Sequence, residues 1–346
     1  MKIKLGVDHF FVAAAAFLCG CSSTVKNYGL EDHFSALEAT SGSISTPEQC
    51  AHTTDAVWVT GPSFQECIRY YPSQEFRKGI VRRVIVYMEG DFLSTSGAYP
   101  TYTDLTPGKR IARAEREQNR GGTPYLILGR PGTEGSSGSQ HKRRTQHETL
   151  VVNAALDAIK SKYGIAEYGL VGQSGGGGLV AALIAERRDV LCAVSSSGAT
   201  AVKHRVVAAG RTSDYTGRSM AEIWDPVEQL DRVRPMPGFR MFVTTDPTDA
   251  EVGYGSQAYY VKEAQKRGLP VTHILVHGSG LSHHGTVGVG NRVVEDCMIG
   301  LSTQYIFKTY SGVANDYPDM EGLARKAQAQ HDLEMRSQEA TQAGTR

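Results

Sequence analysis

A chain of 346 residues, 40% of them hydrophobic, is long enough to bury a full core as one large α/β domain or as two smaller ones. With 37 Lys and Arg interspersed among 36 Asp and Glu, it lacks the one-signed field of a nucleic-acid binder, and the short cluster His141-Lys-Arg-Arg144 reads as a solvated helix start. Its cysteines form no C-x-x-C pair or His/Cys cluster, so no structural metal is expected.

The first residues do not belong to a fold. Met1-Lys-Ile-Lys4 supplies a positive start and residues 10–18 an apolar stretch too short to span a bilayer, which predicts an export signal over residues 1–20, although Asp8 interrupts the approach. The following Leu18-Cys-Gly-Cys21, with Ser22 behind it, resembles a bacterial lipobox. That resemblance implies lipidation at Cys21 and a chain anchored in the cell envelope, at the outer membrane facing the periplasm; an ordinary cleaved signal or an uncleaved anchor is the alternative. Residues 21–50 are rich in Ser, Thr, Gly and Glu and read as a tether. Export permits disulfides. Cys50 and Cys67 flank a short segment ahead of the main sheet and are the expected pair, whereas Cys192 in a strand pattern and Cys297 in a helical one read equally well as free buried thiols.

From residue 51 onward, apolar strand patterns alternate with amphipathic helical ones. Strand patterns at 56–59, 67–71, 83–88 and 125–128 are joined by a helix near 109–119, and a second helix at about 145–163 leads to the strand 168–171. A helical pattern over 179–188 and a strand at 191–195 follow. Between 198 and 235 the pattern loosens into what reads as a small cap. It resumes with a strand at 239–243, a helix at about 256–267, a strand at 271–276 and a last helix at about 291–307. Such alternation predicts a parallel sheet with both faces covered over residues 51–315, followed by a polar tail at 316–346.

The chemistry centres on Gly172-Gln-Ser-Gly-Gly176, which stands between the buried strand at 168–171 and the following helix. In a strand-to-helix turn of this type the serine is held out of the sheet, and side chains at Gly172 or Gly176 would meet backbone, so Ser174 is the candidate nucleophile. The helix start directs the N–H of Gly175 at the space where an oxyanion would form. A serine hydroxyl needs a histidine to take its proton and an acid to orient that histidine. Asp246 and Asp249 lie in a loop after the strand at 239–243; Asp249 is favoured because Asp246-Pro247 suits a turn. The next strand runs into His277-Gly-Ser-Gly-Leu-Ser-His-His-Gly285, where His284 is the preferred base, His283 its rival and His277 structural. The loop Glu89-Gly-Asp-Phe92 would bring the N–H of Asp91 to the oxyanion as second donor. Another Gly-rich loop, Gly129 to Gly138, lacks the Gly-Lys-Ser/Thr ending of a phosphate-binding loop.

The order Ser174, Asp249, His284, with the flanking strands, resembles the alpha/beta-hydrolase superfamily over about residues 55 to 310. The resemblance implies an α/β fold with a mostly parallel eight-stranded sheet covered by helices on both faces, and hydrolysis through an acyl-enzyme with no cofactor and no metal. The loop from Gly129 is similar to that of prolyl-oligopeptidase-like and dienelactone-hydrolase-like domains, which implies that it lines the substrate cleft; Arg130 would then face an acidic substrate group or form a structural salt bridge. A serine hydrolase cleaving a small carboxylic ester is therefore expected. The alternatives are a peptidase or amidase on envelope peptides and a lipoprotein that keeps the fold but only binds a ligand.

Overall fold

The computed structural model describes residues 23–94 and 97–315; the expected signal, Cys21 and the 316–346 tail lie outside the described residues. Eight strands form one sheet: β1 (Ala56–Gly61), β2 (Phe64–Pro72), β3 (Arg83–Met88), β4 (Tyr125–Leu128), β5 (Glu167–Gln173), β6 (Val190–Ser196), β7 (Arg240–Thr245) and β8 (Val271–Leu275). Their spatial order is β8-β7-β6-β5-β3-β4-β2-β1. Strands β3 to β8 are mutually parallel, while β2 runs antiparallel to β4 and β1 antiparallel to β2. Strands covered on both faces read as unbroken apolar runs, and β4 is accordingly buried from end to end.

The principal helices are α1 (Ala36–Ser41), α2 (Pro47–Ala51), α3 (Pro107–Gly121), α4 (Gln146–Tyr163), α5 (Gly175–Leu183), α6 (Val202–Ala208), α7 (Tyr254–Lys266), α8 (Val287–Met298) and α9 (Thr303–Tyr310). Alternate residues of β3 feed two cores. Val84, Val86 and Met88 pack with Leu156 of α4, Leu179 of α5 and Tyr260 of α7; Ile85 and Tyr87 belong with Ala114 of α3, Val293 of α8 and Ile306 of α9. The sheet is thus covered on both faces. The single last helix expected from the sequence is two, because Gly300 takes φ 91° and ends the first of them, a conformation in which a side chain would be strained.

The segment expected to be a tether is packed instead. Tyr28, Phe34 and Ala39 are buried, Phe34 stacks on Tyr102 with ring centroids 5.8 Å apart, and Tyr28 donates to Glu38 at 2.6 Å. Ser43 and Gly138 exchange backbone hydrogen bonds of 2.9 and 2.8 Å, and Cys50 is bonded to Cys67 at 2.05 Å, which fastens α2 to β2. A polar average composition concealed these few apolar anchors. Cys192 and Cys297 are also bonded, joining β6 to α8, so neither is a free thiol.

Candidate active site

Between β3 and β5 the chain order reverses, since β4 lies on one side of β3 and β5 on the other. The crevice beyond the carboxyl ends of two such strands is where a parallel sheet leaves room for a ligand. Gly90 and Ser174 stand at those ends. Ser174 has φ 55° and ψ −118°, a backbone state that a residue with a side chain holds only when its surroundings dictate it. They do so here: the Ser174 N–H donates to Ser196 at 2.9 Å, and its carbonyl accepts from Gly178 and Ala199 at 3.0 Å each. A Cβ at Gly176 would strike the carbonyl oxygens of Met88 and Glu89, and one at Gly90 would lie 3.3 Å from the Ser174 Cβ. The glycines permit β3, its loop and the elbow to touch.

Ser174 and His284 line one cleft of about 460 Å³, together with Gly90, Asp91, Tyr99, Arg205, Tyr215 and Glu251. Asp249 holds the histidine, both its oxygens lying 3.0 Å from His284 Nδ1. The same carboxylate accepts from the backbone N–H groups of Glu251 and Val252 at 2.9 and 3.1 Å. Burial alone would raise the pKa of Asp249, but these donors and the His284 imidazole outweigh it and hold the carboxyl below its ordinary range. His284 Nε2 is buried and has no hydrogen-bond partner among the described residues; the nearest acid is Glu251, at 3.7 Å.

The rival residues pair elsewhere. His283, at φ 54°, has an exposed side chain whose Nδ1 is 3.6 Å from Asp246. Asp246 in turn accepts from Thr248 and from the Gly278 N–H at 2.6 Å, the bonds of a turn former. His277 continues β8, donating its N–H to Val313 and accepting from Asn315. Gln173, which carries no catalytic signature in the sequence, clamps the histidine loop. Its side chain donates to the His284 carbonyl at 2.8 Å and accepts from Thr286 and Val287. Its position beside the nucleophile was the available signal.

Asp91 differs from expectation in what its side chain does. Its carboxylate meets Arg130 at 2.9 Å, Arg144 at 2.5 Å and Arg143 at 3.3 Å, and accepts from Tyr215 at 2.8 Å. Burial opposes its charge, yet the three guanidinium groups hold its pKa far below the usual carboxylate value. Among the described residues the N–H groups of Asp91 and Gly175 make no backbone hydrogen bond; Gly175 follows Ser174 directly, and Asp91 follows Gly90, where a Cβ would lie 3.3 Å from that of Ser174. Residues 129–137 of the Gly-rich loop are buried throughout. The loop therefore does not line the cleft, and Arg130, 1% exposed, is shared between Asp91 and Glu148, which leaves it the structural role. No group of three His, Cys, Asp or Glu among the described residues is arranged to hold a metal ion.

A serine on a strained strand-to-helix elbow, set in an eight-stranded, mostly parallel sheet, defines the alpha/beta-hydrolase fold. No family model and no curated protein matches the chain. Among solved structures it is similar to Est1E from Butyrivibrio proteoclasticus with bound ferulic acid, at TM-score 0.51 and 14% identity over 70% of this chain and 98% of that one. It is also similar to the Pyrococcus furiosus esterase Pf2001, at TM-score 0.50 and 13% identity over 77% of this chain and 96% of that one. Both likenesses are of fold.

Proposed function

We propose that this protein is a serine hydrolase that cleaves a small carboxylic ester, with Ser174 as nucleophile, His284 as general base and Asp249 as the acid that orients it. The observation that carries this reading is the histidine itself: its Nδ1 is held by Asp249 at 3.0 Å while its Nε2, free of hydrogen bonds among the described residues, belongs to the cleft that Ser174 lines. In the reaction Nε2 takes the hydroxyl proton as Ser174 Oγ bonds to the ester carbon. The proton then passes to the departing alkoxide as its C–O bond breaks, and water repeats the sequence on the acyl-enzyme. The N–H groups of Asp91 and Gly175 would receive the oxyanion. The name of one fold relative, the Pyrococcus furiosus esterase, favours an ester over an amide.

A fluorophosphonate probe should label the wild type and fail on Ser174→Ala; labelling that survives in the mutant overturns the assignment. His284→Ala should lower kcat on an activated ester by several orders of magnitude, and His283→Ala should leave it within about threefold. Amide turnover equal to that of the best esters would turn the reading to a peptidase. We further propose that the mature chain is lipid-anchored in the cell envelope through Cys21. Two disulfides fit an oxidising compartment. Mass spectrometry should find a diacylglyceryl thioether at Cys21, and an unmodified Cys21 in membrane fractions would refute it.

A further inference from the structure

Arg205 of α6 lines the cleft that holds Ser174 and His284. The guanidinium groups gathered around Asp91 are neutralised: Arg130 by Asp91 and Glu148, Arg143 by Asp91, and Arg144 by Asp91 and Asp214. Arg205 forms no ion pair among the described residues. Two neutral contacts fix its direction: Nη2 donates to the Glu251 carbonyl, and the guanidinium lies 5.6 Å from the centroid of the Tyr215 ring. The one exposed carboxylate in the cleft, Glu251, is engaged elsewhere, accepting from Ser282 at 2.7 Å and lying 3.7 Å from His284.

Burial and the like charges of Arg144 and Arg211 lower the pKa of Arg205, against the pull of Tyr215 and Asp249, so its charge is held at a disadvantage that an incoming anion would relieve. An aimed, half-buried guanidinium offers a planar fork matched to a carboxylate. A single fork next to the negative Glu251 suits a monoanion.

Resting on the assignment of Ser174 as a hydrolytic nucleophile, we propose that Arg205 is a specificity residue that selects esters carrying a carboxylate. Arg130, the cation that the sequence offers for this role, is buried in a salt bridge, and α6 supplies one instead. Two ester pairs test this, each differing by one charge: 4-acetoxybenzoate against 4-acetoxybenzamide for the alcohol side, and mono-4-nitrophenyl glutarate against its amide analogue for the acyl side. In the wild type kcat/KM should favour the anionic member of at least one pair by about tenfold or more, and high salt should narrow that ratio.

Arg205→Gln keeps a donor for the Glu251 carbonyl but loses the charge, and should bring the ratio to within about twofold. Arg205→Lys keeps the charge without the fork and should give an intermediate ratio, which separates lost recognition from a disturbed loop. A wild type with no anionic preference in either pair, or a preference that Arg205→Gln leaves intact, overturns the proposal while leaving the hydrolase reading in place. A wild type that is neither labelled by fluorophosphonate nor active on any of the four esters overturns both.

Discussion

At Asp91, one carboxylate meets three guanidinium groups and a tyrosine, and its neighbour Glu89 meets Arg110 and Arg113 at 2.9 Å each. Burial works against both acids, but the arginines prevail, and Glu89 is pulled down to about 2. A carboxyl whose pKa is depressed by folding stabilises the fold above its unfolded value and loses that contribution as pH falls through the folded one. Glu134 has the opposite sign: burial raises it from 4.5 to about 7 despite its contact with Arg110, so its contribution is complete below 4.5 and is lost as pH rises through 7. The melting midpoint should therefore rise as pH is lowered from about 8 to 5, then fall steeply from about 4 toward 2. A midpoint that stays level across the acid range would contradict this account. None of these shifts is legible in the sequence, because Glu89 and Asp91 look like any loop acids until their distant arginines are brought to them.

At the scale of elements, the strands and the elbow were legible because parallel strands and glycine-rich turns follow local rules of periodicity and backbone freedom. The N-terminal segment was not. Phe34 is one aromatic in a polar stretch, yet it is 1% exposed and packs against Tyr28, Tyr71 and Tyr102. Removing a buried aromatic of this kind costs about 3–5 kcal/mol when the site cannot collapse. Phe34→Ala should lower the stability of the full chain by about that much in urea unfolding; a loss below about 1 kcal/mol would return the segment to the role of a tether. Capping explains why α4 was well bounded in advance: the Thr145 side chain accepts from the Glu148 N–H at its start, and Gly164 takes φ 68° at its end.

At the scale of the whole molecule, the Cys192–Cys297 bond ties β6 to α8 across 105 residues, whereas Cys50–Cys67 spans 17. Loop-closure entropy makes the longer link worth about 4–5 kcal/mol and the shorter about 3. Replacing Cys192 and Cys297 together by Ser should lower the melting midpoint more than the same change at Cys50 and Cys67, and the reverse order would show that the stabilisation is not set by loop length. Pairing of this kind depends on which elements meet, so the sequence left Cys192 and Cys297 open. The sequence by itself determined the alternation of strands and helices, the two-sided sheet and the elbow at Ser174, because each leaves a local signature of periodicity or glycine spacing in the chain. Tertiary structure decided the rest: it set His284 against Asp249 and His283 against Asp246, buried Arg130 and left Arg205 facing the cleft. Charge pairing and burial arise between residues far apart in the chain, so only the folded arrangement could assign them.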